Sequence, residues 1–593
     1  VPAAPTSPAR ALVVAALGGA LALAGLAGAP TSQAREPGSC AGTGGSVPLA
    51  QAIDGSGELA AVRAASGLDR STLRHLAEDG TAHADACGGV FVVDHAVPAA
   101  QQVAADPAVG VTVPDDVFAL SSRPSSPRTL YLDFDGDTRT GTAWAGGAAI
   151  ASPPYSVDDD TTSFSEVERA QIYLAWRSVA EDYAPFDVNV TTQVPSADAL
   201  TRTSTADPTY GMPVVITSTN QVGAGCGCGG KAYVGVFATV RNAAYQPGWV
   251  FTDGSGTGGY NVGQVISHEA GHTFGLSHDG TATAGYYTGA NGWGPIMGAS
   301  YNRRASQWSQ GEYAGASTTE DDVAMIARIA PTLPDDHGAT AATATALTAG
   351  VTVPGLVTSR SDADAFGFTA AGPTTLAVTG PPGVSDLDVL LTVLDAQGHL
   401  VATVDPTAPS ATDASLDATW TADLPDTPAR YTAVVDGTSH GDPAAPGGYS
   451  DYGSLGAYTV TLTTSGDPGA LTPPPTTPPT TPPTTPAPTS APSPTTTPVT
   501  PSTGGRAAPV TFLTTRLPAA RTGARYRAEI AFSGPVVEAR VGWRLPRGLR
   551  WRVRGSRVVL TGRLEGTRTR RVTVQLSGED GSTLRQRFRI RVR

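Results

Sequence analysis

The sequence predicts a multidomain chain. An α/β (α+β) unit with a mixed sheet comes first, and β-sandwich domains follow. Three observations carry this. Between residues 126 and 332, period-two strand patterns alternate with stretches of helical periodicity. From 333 to 465 the composition shifts to Thr, Val, Gly and Ala in short alternating runs with few helix signals. Residues 466–505 are almost all Pro, Thr, Ser and Ala, an extended spacer that forms no core and sets off a last module at 506–593. A chain of 593 residues has room for this many domains.

Residues 1–34 read as a secretory signal: Arg10, an apolar run from Ala11 to Gly28, and small residues at Ser32-Gln33-Ala34. The expected location is secreted, extracellular or envelope-associated. No second run of about 20 apolar residues follows, so no membrane span is expected in the mature form. Residues 35–125 precede the α/β unit as a separate segment, with Cys40 and Cys87 near its ends. In an exported chain cysteines tend to be oxidised.

The α/β unit opens on an alternating strand, Thr129 to Asp135. Asp133, Asp135 and Asp137 follow at period two, either as oxygen ligands for Ca²⁺ or as a solvated strand end. Asp158 to Asp160 has the same ambiguity. Ser165 with Glu168 is a capping box for a long helix. Ile172, Trp176, Val179 and Tyr183 form its buried stripe, and Pro185 ends it. Phe186 to Thr192 and Pro213 to Ser218 are the next strands. The Cys226-Gly227-Cys228 turn holds either a local disulfide or two thiols. A second helix starts near Asn261 and turns Val262, Val265 and Ile266 to the core. Thr319 with Asp322 caps a last helix carrying Val323, Met325 and Ile326.

That second helix contains His268-Glu269-Ala270-Gly271-His272, then Gly275 and His278-Asp279. His268 and His272 are four residues apart and share a helix face. Gly275 permits a sharp backbone turn that brings His278 back as a third ligand. Three protein ligands leave the fourth tetrahedral position of a Zn²⁺ open, as in catalytic sites. Glu269 beside the metal is placed to act as general base.

The motif, with Met297 in Gly294-Pro295-Ile296-Met297-Gly298 as a Met-turn, resembles the metzincin metallopeptidases. Asp279 after the third His is similar to their reprolysin branch, in secreted bacterial form. The resemblance covers 126–332 and implies a secreted zinc endopeptidase acting on protein or peptide substrates. His268, His272 and His278 would hold the metal and Glu269 would be the base. Gly275, Asp279 and Met297 would support the ligands. It further implies that Lys231 to Val236 is an edge strand that pairs with extended substrate. Tyr301 stands four residues past Met297, where some relatives place a transition-state Tyr two residues past it. Residues 35–125 would be a propeptide, so that the chain is a zymogen. Its Cys87 would be either a thiolate ligand to the metal or a disulfide partner of Cys40. The mature enzyme would begin near 120–130, in an exposed Ser121–Arg128 loop.

Asp362-Ala363-Asp364-Ala365-Phe366 and the strands around it resemble a pre-peptidase C-terminal domain over 333–465, an accessory module in such enzymes. Leu517-Pro518 and Leu545-Pro546 lie in a stretch resembling bacterial Ig-like modules. Residues 506–593 hold 21 Arg against five acids in a chain of net charge −13. Such asymmetry suggests an anionic partner: a cell-wall or extracellular polymer ahead of nucleic acid. Two other functions compete: a surface-binding protein with incidental peptidase activity, and a zinc amidase acting on cell-wall peptides.

Overall fold

The computed structural model describes residues 45–465, apart from 103–111, 159, 219–221, 223–225 and 406–415, and most of 511–592. The signal segment, Cys40 and the Pro/Thr spacer lie outside the described residues. The chain divides into two compact units, Val1–Pro474 and Pro475–Arg593. Among the described residues no helix is long and apolar enough to cross a membrane.

The first unit is built on an eight-stranded mixed sheet. Its order is Val47–Pro48, Ala82–Ala84, Val90–His95, Cys228–Tyr233, Gly248–Phe251, Tyr210–Thr217, Arg128–Asp133, Asn189–Thr191. The last four run parallel and the others antiparallel to their neighbours. Strand Tyr210–Thr217 is buried along its whole length, as a parallel strand covered on both faces must be. The strand expected at Lys231 to Val236 runs Cys228–Tyr233 and lies inside the sheet, paired on one side with Val90–His95 and on the other with Gly248–Phe251, so it is an edge only of the part that follows residue 95. Gly248–Phe251 is an additional strand between it and the second helix. It was hidden because Gly-Trp-Val-Phe is too short to show a period.

Two helices cover the sheet. The long helix Glu166–Asp182 starts at the expected capping box. Ser165 Oγ accepts from the Glu168 N–H at 3.2 Å, and Glu168 Oε2 accepts from the Ser165 N–H at 2.7 Å. It ends at Asp182, ahead of Pro185. The second, the histidine helix Gly259–Phe274, is buried almost throughout. Gly259 and Gly263 let the two helices touch: a Cβ at Gly259 would strike the Gln171 carbonyl, and one at Gly263 would meet Ser178 and Ala175. The short helix Asp322–Ala327 is capped by Asp321, whose carboxylate accepts from the Ala324 N–H, and not by Thr319. Asp321, two residues nearer the helix, wins because its side chain reaches the third helical N–H directly.

The amino-terminal residues contribute helices Ser56–Ser66 and Arg70–Asp79 and the first three strands of the sheet. Cys87 is disulfide-bonded, so it offers no thiolate; Cys226 and Cys228 are bonded to each other. The Ser121–Arg128 stretch is pinned rather than looped out. Ser122 N–H donates to Val190 O, Ser121 Oγ to Asn189, and Arg128 pairs with Asp187 at 3.0 Å. Val117, Phe118 and Leu120, just upstream, are buried in the core with Ile172 and Val190.

Residues 345–464 form a seven-stranded sheet around a second core of Phe366, Leu376, Val389, Leu391, Val435 and Val460. Strand Asp364–Thr379 keeps its alternation across the register shift between Ala370 and Gly372, so Phe366, Phe368, Leu376 and Val378 face one core. This domain is not a loose appendage. Trp293 stacks on Tyr449 at 4.9 Å. Tyr452 Oη donates to Asp321 at 2.6 Å and accepts from the Val323 N–H. Glu181 accepts from the Ala457 N–H at 3.1 Å. In the second unit, sheets Thr511–Phe512/Arg525–Ser533/Arg557–Arg563/Leu549–Val553 and Val536–Val541/Arg570–Gly578/Thr583–Ile590 enclose Ile530, Leu560, Val574 and Phe588. Arg525, Arg527, Arg589 and Arg591 are exposed while Tyr526, Ala528, Ile590 and Val592 are buried; on strand Leu549–Val553 the alternation fails, because Trp551 is 40% exposed beside exposed Arg550.

The domain junction buries three acids. Burial pushes Glu181 up to about 8 and Asp182 up to about 7, and Asp386 beside them is also raised. A Glu with a raised folded pKa is protonated in the fold and ionised when unfolded. Its stabilising contribution is complete below its ordinary value near 4.5 and is lost as pH rises through about 8. The melting temperature should therefore fall across that window. Glu181→Gln should flatten the fall, recovering on the order of 1–3 kcal/mol at the alkaline end. Melting curves of both proteins from pH 4.5 to pH 8.5 check this; parallel slopes would contradict it.

Candidate metal centre

The histidine helix ends where Gly275 adopts φ 108°, in the left-handed region, with its N–H bonded to Gly271 O and His272 O. A side chain there would be strained. The turn carries the backbone through Leu276 and Ser277 to His278. All three imidazoles are buried, with ring centroids 4.7–5.2 Å apart.

Their Nδ1 atoms are all committed. His268 Nδ1 lies 2.8 Å from Ile296 O, and His272 Nδ1 lies 2.8 Å from Leu276 O. His278 Nδ1 meets the Asp79 carboxylate. Acceptors at Nδ1 fix the proton there and leave each Nε2 with a bare lone pair. Each Nε2 is buried and lacks a hydrogen-bond partner of proper geometry. The three converge instead on the Asp94 carboxylate, at 3.4 Å, 3.3 Å and 2.9 Å for His268, His272 and His278. Three orphaned imidazole nitrogens and one carboxylate, all within 4.8 Å of one another, are a donor set suited to Zn²⁺. Burial opposes the charge on Asp94; with no metal bound, protonation of the facing imidazoles, His278 first, offsets this and holds the carboxyl well below its ordinary range.

The Met-turn braces the centre from below. Ile296 O orients His268, and Met297 O accepts from the Asp279 N–H at 2.8 Å. Met297 Sδ packs where a Cβ on Gly271 would fall, 2.5 Å away. Asp279 ties the histidine turn to this loop rather than touching an imidazole. Its carboxyl is raised to about 7 by burial and then by Glu320, whose own carboxylate accepts from the Ser277 N–H.

Glu269 is fully buried, with neither carboxylate oxygen in a formed hydrogen bond. Burial raises its pKa well above the ordinary value, and the Asp94 charge raises it further. The carboxylate lies against Gly230 of the edge strand, where a Cβ would collide with it. Lys231, the chain's only lysine, is also buried; burial lowers it to about 8 while Glu269 opposes the fall.

Of the other expected residues, Tyr301 is raised by burial and then by the charges of Asp94 and Glu269, which places it beside the centre. The nearer phenol is Tyr286, which the sequence reading missed. Its ring lies 4.3 Å from that of His278, and its Oη donates to Asp94 at 2.7 Å. Asp79 and Asp94 were missed as well, because nothing local marks a single Asp in a helix end or strand as aimed at a distant histidine. Burial raises the Asp133 carboxyl well above its ordinary value, and the neighbouring Asp137 and Asp135 charges add to this. Among the described residues, the only other group of carboxylates converging closely enough for an ion is Asp335, Asp362 and Asp364.

Residues 170–279 match the family model described as Metallo-peptidase family M12B Reprolysin-like. The chain therefore carries a reprolysin-like metallopeptidase domain, a hydrolase of a zinc-dependent family. No curated protein matches the chain. Among solved structures, the pre-peptidase C-terminal domain of a collagenase from Bacillus anthracis matches at 14% identity. It covers 22% of this chain and 99% of its own, with a TM-score of 0.14. An Ig domain pair of titin M10 and obscurin-like 1 matches at 15% identity, covering 15% and 96%, with a TM-score of 0.13.

The contact between Gly230 and Glu269 gives a sharp expectation. Gly230→Ala should displace the Glu269 carboxylate at a folding cost of about 1–3 kcal/mol. Peptidase activity should drop at least tenfold while bound metal, measured by atomic absorption, stays at the wild-type level. Unchanged activity would show that Glu269 does not need its observed position.

Proposed function

We propose that the chain is a secreted zinc endopeptidase in which His268, His272 and His278 hold the metal and Glu269 is the general base. The observation that carries this is the convergence of three bare Nε2 atoms beside a buried glutamate that lines the edge strand. A Zn²⁺ held there would polarise the scissile carbonyl and lower the pKa of water. Glu269 takes the proton from the attacking water and passes it to the leaving amine. Tyr286, at van der Waals range of His278, donates its hydroxyl proton to an oxygen in the place where Asp94 Oδ1 stands. The edge strand holds an extended peptide by backbone hydrogen bonds, which favours cleavage within a chain and little side-chain preference. Secretion rests on the signal-like residues 1–34.

Glu269→Ala should keep the metal and lose hydrolysis of casein by several orders of magnitude; His272→Ala should lose the metal too. Purified Glu269→Ala that cleaved casein at the wild-type rate would refute the mechanism. Casein against purified wall material, as paired substrates, separates an endopeptidase from a cell-wall amidase.

The basic module at 506–593 is read as a grip on an anionic envelope polymer. Its exposed arginines on strand faces, at the end of a long spacer, support this. Full-length protein should stay with the envelope at low salt and leave it as salt rises, because screening weakens exposed ion contacts. Protein ending at Ser502 should stay in the medium and keep its activity. Equal partitioning of the two at low salt would remove the anchoring role.

A further inference from the structure

The β-domain at 345–464 reaches the histidine helix through one loop. Asp386 lies between strands Asp364–Thr379 and Val389–Asp395 and is buried. Glu181 anchors the loop by accepting from the Asp386 and Ala457 N–H groups. The Asp386 carboxyl accepts from the Ser306 N–H and is hydrogen-bonded to the Asp182 carboxyl. Two carboxyls bond to each other only when one of them keeps its proton. Burial, and then the charges of Asp182 and Glu181, raise Asp386 well above its ordinary value, so Asp386 donates and Asp182 accepts.

From these two partners the contacts lead to His268 by separate routes. Asp182 accepts from Ser267 Oγ, and Tyr183 Oη donates to the Ser267 carbonyl at 3.2 Å. Ser267 is the residue just before His268. On the other route, Ser306 lies in strand Ala305–Gln307, which pairs in parallel with Trp293–Pro295 at the start of the Met-turn. Gln307 O accepts from the Ile296 N–H at 2.9 Å, and Ile296 O is the acceptor that holds His268 Nδ1. The Gln307 side chain closes the circuit: Nε2 donates to Asp386 O at 2.5 Å, and Oε1 accepts from Trp293 Nε1 at 2.7 Å. Ser306 Oγ also donates to Gln264, one turn before His268 on its helix. Arg360, by contrast, joins the domains at their exposed rim, through Glu312.

We infer that Asp386 is a positioning residue of the metal centre: it clamps Ser267 through Asp182 and the Met-turn through strand Ala305–Gln307, so that His268 keeps its Nε2 aimed at the metal only while the β-domain is docked. This rests on the metal centre proposed above. The groups behind a ligand imidazole set its orientation, and losing one of them costs roughly 10–100-fold in metal affinity. Here the backbone before His268 and the carbonyl that fixes its proton are both tied to one residue of the neighbouring domain. The β-domain is therefore a working part of the peptidase and not a detachable tail.

The test uses the full chain with Co²⁺ as the probe metal. Its visible d–d bands report the ligand geometry, and competition with a chelator gives the dissociation constant. Asp386→Ala should bind cobalt roughly 10–100-fold more weakly than wild type and shift the bands, because His268 is no longer held. Asp386→Asn keeps an acceptor for the Ser306 N–H and a donor for Asp182, and should restore the wild-type constant and bands. Arg360→Ala loosens the same junction at its rim and should leave both unchanged. A wild-type constant with wild-type bands in Asp386→Ala would overturn the inference and leave the metal centre standing. Equal losses in Asp386→Ala and Arg360→Ala would overturn it too, since a loosened junction alone would then explain them. If Asp386→Ala does not fold, Gln307→Met decides, because it removes the amide that reaches the Asp386 carbonyl at nearly unchanged volume. Cobalt binding there should weaken at least tenfold, and wild-type binding would overturn the inference. Failure of wild type to bind cobalt would overturn the metal centre, and this inference with it.

Discussion

Everything in the first unit answers to one constraint: three buried imidazoles must each present a bare Nε2 to the same point. A buried His can satisfy both nitrogens in many ways, and most of them would destroy the site. Here each Nδ1 is bound by an acceptor that cannot donate back. Ile296 O comes from the Met-turn, Leu276 O from the residue just past the Gly275 turn, and the Asp79 carboxylate from the amino-terminal helix. The Met-turn thus acts through a backbone carbonyl as well as through Met297, whose sulfur fills the space above Gly271. The glycines follow from the same demand. Gly275 supplies the backbone angle, Gly271 admits Met297, and Gly230 admits the Glu269 carboxylate.

Much of this was legible in the sequence, for identifiable reasons. Helix spacing and turn chemistry are local, so the His268–His272 pair, the Gly275 turn, and the Ser165–Glu168 capping box could be read directly. The reprolysin-like resemblance is matched by the family model, and the mixed sheet followed by β domains is the observed architecture. The roles assigned to the ligands and to Glu269 remain a proposal, although the fold brings all four side chains together. What could not be read depends on register between distant strands. Asp94 faces the imidazoles only because Val90–His95 pairs with Cys228–Tyr233 in one of several available registers. Its surroundings, Val-Phe-Val-Val-Asp-His, read as an ordinary strand end. Tyr286 was overlooked for the same reason. It sits in a Gly- and Tyr-rich loop whose path depends on backbone bonds from Tyr287 to Asp279 and from Ala299 to Tyr287.

The acidic residues show how context, not type, sets their chemistry. Asp133 and Glu181 are buried without enough compensating charge, and burial raises both. The carboxylates of Asp94 and Glu269 are both fully buried and close together, yet they shift in opposite directions. Asp94 faces three imidazoles; Glu269 faces Asp94. Two like charges in one dry pocket oppose each other, so the two carboxyls shift apart.

That pocket is assembled by the register of one strand pair. Val90–His95 meets Cys228–Tyr233 so that Asp94 falls opposite Gly230. The Glu269 carboxylate fills the space a Cβ on Gly230 would take. A slip of one residue would turn Asp94 to the other face of the sheet and bring a neighbouring residue to Gly230. The Gly at 230 and the Asp at 94 are therefore bound to one register: the first makes room for the helix glutamate, and the second meets the imidazoles of the same helix only when that room is used.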